Sequence, residues 1–134
     1  MKIITIPEGV LCQWEAKKYV VANHCFANCS RLVFHLPTMG IGYVLCWVNV
    51  DGQRYPHAVI SCGDNNFDPT LQRSTLQRTY EFVRRYTRAE LIKIITDGGG
   101  EYDDANGVIS GIPPALCEDG TIACVEVELS SPQT

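Results

Sequence analysis

The chain has 134 residues, 46% of them apolar and 19% charged, which is the size and composition of one globular domain over 1–134 and not of a disordered segment. A net charge of −4 argues against a general nucleic-acid binder, and no apolar run approaches the ~20 residues of a membrane span. Residues 1–6 are too short and β-like for a signal-peptide core, and the seven cysteines are odd in number with no CxxC pair, so the expectation is a cytoplasmic protein with reduced thiols.

In chain order, residues 2–6 predict a short strand and residues 11–21 an amphipathic helix. A second helix is predicted over 23–34, with Asn23 as N-cap and Cys25, Cys29, Leu32 and Leu36 on one face at 4, 3 and 4 spacing. Pro37 and Gly40 end it. Residues 43–50 are nearly all apolar and β-prone, Asp51-Gly52 is a strong hairpin turn signal, and residues 53–62 run back. In that register Val50 opposes Gln53, Cys46 opposes His57, and Pro56 opposes Trp47 at a non-hydrogen-bonded position, where its missing N–H costs nothing.

Gly63-Asp64-Asn65-Asn66 is dense in turn formers. Residues 71–95 read as two helices joined near Tyr86-Thr87, because Ser74-x-x-Gln77 and Thr87-x-x-Glu90 both fit the capping box. Asp97-Gly98-Gly99-Gly100 breaks the second, residues 101–120 are turn-rich, and residues 121–129 alternate as a last strand. The order β-α-α-β-β-α-α-β predicts an α+β domain, with N-terminal helices packed on a small antiparallel sheet.

Charge is unevenly spread. Residues 97–134 hold eight carboxylates and no Lys or Arg, whereas residues 73–93 hold Arg73, Arg78, Arg84, Arg85, Arg88 and Lys93 against Glu81 and Glu90. The basic segment reads as a solvated helix face or as a surface for an acidic partner.

Three residues assemble into chemistry. Cys25 falls at the second helical position if Asn23 is the cap, where unpaired N–H groups and the positive dipole end favour thiolate. His57 follows Pro56 at the start of an apolar strand segment, and a thiolate–imidazolium pair is a nucleophile at neutral pH. Asp68 can accept a hydrogen bond from the imidazole and fix its tautomer. A two-residue Gly63-Asp64 loop sets Asp68 opposite Val59, on the face of His57 and within side-chain reach. A three-residue loop turns it to the other face, and a longer one makes Asp64, Asn65 or Asn66 the substitute.

Cys25-Phe26-Ala27-Asn28, Gly42-Tyr43-Val44, His57-Ala58-Val59-Ile60 and Phe67-Asp68-Pro69-Thr70, in this order and spacing, resemble the transglutaminase-like and papain-like superfamily. The match runs from Cys25 to Thr70, about 46 of the 134 residues, and the strand carrying Trp47 and Val48 fits the one that precedes the family's histidine strand. The resemblance implies a papain-like core, Cys25 as nucleophile, His57 as base and acid, Asp68 as orienter, and the Cys25 N–H as oxyanion donor, with Gln13 a more distant candidate. Asn28, Cys46 and Trp47 are candidates for substrate contact. Two departures stand out: Val59 where the family usually has tryptophan, and Cys46, opposite His57, where it usually has a small residue.

The leading expectation is a thiol hydrolase acting on an amide of a protein or small molecule through an acyl-thioester, as amidase, deamidase or peptidase, with transglutaminase-type acyl transfer as a variant. The alternative is a catalytically silent interaction module on the same fold. No cofactor is called for. A metal site drawn from His24, Cys25, Cys29, His57 or Cys62 lacks a second short pair of ligands, so no metal is expected.

Overall fold

The structure, a computed structural model, describes residues 1–103, 105, 106 and 108–123. The fold is α+β: a four-stranded antiparallel sheet in the order β3-β2-β1-β4, three α-helices, and two small two-stranded sheets among the described residues. The helices are α1 (Glu8–Ala16), α2 (Cys25–His35) and α3 (Arg88–Asp97). The main sheet is built from β1 (Ile41–Val50), β2 (Gln53–Cys62), β3 (Asn65–Phe67) and β4 (Arg78–Tyr86). After α3 come β5 (Glu101–Asp103) with β6 (Val108–Ser110), and β7 (Ala115–Leu116) with β8 (Ile122–Ala123). The predicted last strand lies mostly outside the described residues, which retain Ile122–Ala123 of it. No helix among the described residues is long and apolar enough to cross a membrane.

The β1–β2 hairpin has the register its sequence predicts. Val50 pairs with Gln53, Trp47 with Pro56 and Cys46 with His57. Asp51 and Gly52 both take positive φ, 51° and 83°, which is the geometry a two-residue turn of right-handed strands needs. The next turn is also two residues long: Cys62 pairs with Asn65 around Gly63 and Asp64, and Ile60 pairs with Phe67. Continuing that register by one residue sets Asp68 beside Val59.

Period-two alternation divides the sheet into two faces. Ile41, Tyr43, Leu45, Ala58 and Ile60 pack with Leu11 of α1, Cys29, Leu32 and Phe34 of α2, and Leu91 and Ile95 of α3. Val44, Cys46, Val48 and Val59 form the second cluster, with Tyr80 of β4. A bulge at Val83 lets Cys46 pair with Phe82 while Leu45 pairs with Arg84. Tyr86 therefore joins the first face and Tyr80 the second, although six residues of unbroken strand would put both on one side.

Several predicted elements differ. Residues 78–86 form a strand and not a helix. Thr79, Tyr80, Phe82, Val83 and Tyr86 are β-prone, and pairing along β1 outweighs the helical character of the arginines and glutamate. Ser74 does not cap Gln77; its hydroxyl accepts from the Leu76 N–H at 3.2 Å inside a turn. The second capping box is real: the Thr87 hydroxyl accepts from the Glu90 N–H at 3.1 Å and Glu90 accepts from the Thr87 N–H at 2.8 Å.

Residues 2–6 make no regular strand. Ile3 forms one parallel bridge to Asn66, and the Gln72 amide holds the Ile6 N–H at 2.7 Å and the Ile6 carbonyl at 2.8 Å. The first helix begins earlier than predicted, at Glu8 behind Pro7, and stops at Ala16.

The arginines of residues 73–88 each have a partner within the chain and present no helical basic face, although Arg73, Arg84 and Arg85 stay exposed. Arg73 meets Glu8 and Glu15 of α1, each at 2.8 Å, Arg85 donates to the Ser61 hydroxyl at 2.8 Å, and Arg88 donates to the Tyr102 hydroxyl at 3.1 Å. Arg78 donates to the Ser74 and Leu76 carbonyls, and Arg84 lies over the Tyr86 ring.

Candidate active site

The nucleophile candidate stands at the head of α2. The N-cap is His24, not Asn23, so Cys25 occupies the first helical position. Asn23 instead takes positive φ, 65°, a conformation that asparagine tolerates better than most residues, and turns the chain into the helix. The Asn28 N–H makes the first helical bond, to the His24 carbonyl at 2.8 Å. The N–H groups of Cys25 and its successors are the unpaired donors of a helix start, aimed out of the same end that carries the thiol.

His57 and Asp68 are buried, 4% and 1% exposed, and meet at 2.9 Å between Nε2 and Oδ2. The Asp68 carboxylate takes three further donors. The Thr70 and Leu71 N–H groups reach Oδ1 at 3.2 and 3.1 Å, and the Tyr80 hydroxyl reaches Oδ2 at 2.5 Å. Burial alone would raise the Asp68 pKa, but the His57 contact and these donors outweigh it and hold the carboxyl below its ordinary value.

His57 shows the opposite balance. Burial pulls its pKa down, yet the hydrogen bond to Asp68, with the nearness of Cys25 and the charge of Asp68, lifts it to about 9. With Nε2 committed to Asp68, Nδ1 is the ring nitrogen left over, in a side chain that lines the same cleft as Cys25. Cys25, His57 and Asp68 are thus brought together, on α2, on β2 and just after β3.

Two clefts open at Cys25. One, of about 400 Å³, runs past His57 along Val48, Val50, Tyr55, Pro56 and Leu71. The other, of about 470 Å³, runs past Phe26 and Ala27 toward Ile112, Pro113 and Ala115. Asn23 and Cys25 line both, and neither is lined by Asp, Glu, Lys or Arg.

The far wall of the second cleft, residues 111–115, is pinned from behind. The Tyr43 hydroxyl donates to the Pro114 carbonyl at 2.5 Å. Gly111 and Gly100 approach so closely that a Cβ on Gly111 would lie 2.5 Å from Ile95 Cγ2 and 3.0 Å from Gly100 Cα.

The three residues expected to contact substrate do not line either cleft. Asn28 is fully buried and fully bonded: its carbonyl oxygen accepts from the Val21 N–H at 2.9 Å and Arg31 at 2.8 Å, and its amide donates to the Val21 carbonyl at 2.8 Å and the Thr70 hydroxyl at 2.9 Å. It ties the segment before Cys25 to the segment after Asp68. Cys46 is wholly buried beneath His57, its thiol pushed up by burial and by the Asp68 charge, so it is floor and not channel. Trp47 is stacked under the Arg54 guanidinium at 3.9 Å. Gln13 is exposed on α1 and lines neither cleft.

Sequence reasoning missed Tyr80, Asn23 and the 111–115 wall. Tyr80 was hidden by the helical reading of 71–86, and the strand-like run Thr79 to Val83 was the signal for it. No three His, Cys, Asp or Glu side chains gather as ligands for a metal among the described residues. Scans against family models, curated proteins and solved structures find no significant match to this chain.

Proposed function

We propose that the protein is a thiol-dependent hydrolase acting on an amide bond, on a transglutaminase-like or papain-like core, and working in the cytoplasm. The observation that carries the reading is the buried His57–Asp68 contact beside a cleft that His57 lines together with Cys25 at the head of α2. A carboxylate at Nε2, a thiol in the cleft that the imidazole lines and helix-start N–H groups beside the sulfur are the parts an acyl transfer to sulfur needs.

The chemistry follows from those parts. The Cys25 thiolate attacks the amide carbonyl carbon, and the developing oxyanion is met by the Cys25 N–H. The carbon–nitrogen bond breaks as the His57 imidazolium gives its Nδ1 proton to the leaving nitrogen. Neutral His57 then takes a proton from water, which attacks the thioester; the acid product leaves and Cys25 is restored. An amine in place of water would give acyl transfer instead. The clefts on either side of Cys25 favour a neutral substrate with apolar groups flanking the amide, in a peptide or a small molecule.

Alkylation by iodoacetamide at pH 6, mapped by mass spectrometry, tests the reading. Cys25 should react ahead of Cys12, which is more exposed but whose thiol pKa is raised by its hydrogen bond to Glu8. His57→Ala should abolish that preference. Reaction of Cys25 no faster than the other thiols would leave a silent interaction module on this fold.

A further inference from the structure

We infer that Tyr80 is a positioning residue of this site: turned by Arg78, its hydroxyl fills Asp68 Oδ2 as a donor, keeps the carboxylate an acceptor, and so holds one His57 hydrogen at Nε2 and leaves Nδ1 as the nitrogen that exchanges a proton with Cys25. The inference deepens the hydrolase reading and rests on it for its functional meaning.

The direction of each hydrogen bond follows by elimination. Arg78 Nε lies 3.0 Å from the Tyr80 oxygen, and a guanidinium can only donate. The Tyr80 oxygen therefore accepts there, and its single hydrogen goes to Asp68 Oδ2 at 2.5 Å. Arg78 is itself held by the Ser74 and Leu76 carbonyls at 2.9 and 3.0 Å, so it cannot swing away without breaking both. Asp68, receiving donors at both oxygens, can only accept from His57 Nε2.

A carboxyl this deeply buried is otherwise at risk of taking a proton. A protonated Asp68 would donate to Nε2, shift the imidazole hydrogen to Nδ1, and leave nothing to receive the Cys25 proton. Tyr80 guards against that outcome. Burial and the Asp68 charge push the phenol up, so it stays a donor across the working range.

The bulge at Val83 is what makes this geometry available. Without it Val48 would face Glu81, and Tyr80 would point to the opposite side of the sheet. The other groups facing the pair are Cys25 and Cys29 from α2, Cys46 from β1, and the Met1 amino group on the Tyr80 carbonyl at 3.5 Å. Burial pushes the Cys29 and Cys46 thiols up, so both stay neutral.

The test is a titration of the His57 ring by ¹⁵N NMR from pH 3 to 10, in the wild type and in Tyr80→Phe, which keeps the ring against His57 (centroids 6.2 Å apart) and removes only the hydroxyl. The expected result is an acid inflection, where Asp68 takes up its proton, moved upward by about one pH unit. Arg78→Met should move it the same way by less, and should add nothing in the Tyr80→Phe background. Superimposable acid inflections in wild type and Tyr80→Phe overturn the inference, as does an Arg78→Met effect undiminished in the double variant. The titration reads the imidazole and not the reaction. A normal Tyr80 effect with unselective Cys25 alkylation therefore counts against the hydrolase alone.

Discussion

His57 and Asp68 meet through Nε2 and Oδ2 at 2.9 Å, eleven residues apart in the chain, because the two-residue Gly63-Asp64 turn between them brings both to one face. Asp68→Asn keeps the volume and an oxygen for the Thr70 and Leu71 N–H groups, but offers His57 an amide donor. The imidazole would answer by moving its hydrogen to Nδ1, which then cannot take a proton from Cys25. Alkylation of Cys25 at pH 6 should fall by about 10²-fold, because a thiol of ordinary pKa (~8.5) still holds roughly 0.3% thiolate there. Wild-type reactivity in a folded Asp68→Asn protein would remove Asp68 from the mechanism.

The pair also sets how stability depends on pH. The folded pKa of His57, about 9, is above the ordinary histidine value of 6.5, so its contribution is complete below pH 6.5 and is lost as pH rises through 9. The folded pKa of Asp68 is depressed, so its contribution is present above the ordinary aspartate value and is lost as pH falls through the lowered one. Urea midpoints should therefore decline between pH 6.5 and 9, and His57→Gln should flatten that slope. An equal slope in the variant would assign the decline to other groups.

The parts of this site that were legible in the sequence are those governed by local rules. Asp51-Gly52 fixes the β1–β2 register, and register then fixes which of Cys46 and Trp47 lies across from His57. The length of the Gly63-Asp64 turn was the open quantity, and a two-residue turn puts Asp68 where the imidazole can use it. What stayed hidden depends on contacts distant in the chain. β4 is a strand because β1 offers it a partner thirty-odd residues away, and the bulge that aims Tyr80 leaves no simple mark in the composition. Asn28 reads in the sequence as a candidate for substrate contact, whereas its partners Val21 and Thr70 make it a buried brace.

That brace can be tested separately from the chemistry. Asn28→Ala would remove the side-chain partner of the Val21 N–H and carbonyl and release the Thr70 hydroxyl. Loss of several part-buried hydrogen bonds should cost about 2–4 kcal/mol in urea unfolding. Asn28→Asp, which keeps the acceptor for Val21 and Arg31 but loses the amide donors, should fall between. If Asn28→Ala unfolds like the wild type but binds or turns over substrate poorly, Asn28 contacts substrate after all.

Gly111 is the most exacting position in the wall that faces Cys25 from residues 111–115. Its φ of 141° disfavours any side chain, and a Cβ there would lie 2.5 Å from Ile95 Cγ2, with Gly100 backbone behind it. Gly111→Ala should cost about 1–3 kcal/mol and push Ile112 and Pro113 relative to Cys25. Tyr43→Phe should loosen the same wall from the other end by releasing the Pro114 carbonyl. The sensitive measurement is the rate of Cys25 alkylation by iodoacetamide relative to an N-benzyl analogue, which must occupy a cleft as it reacts. Both variants should shift that ratio while leaving the small reagent's rate within a few fold, because neither touches His57 or Asp68. A ratio unchanged in both folded variants would mean that the cleft past Phe26 and Ile112 plays no part in what approaches Cys25.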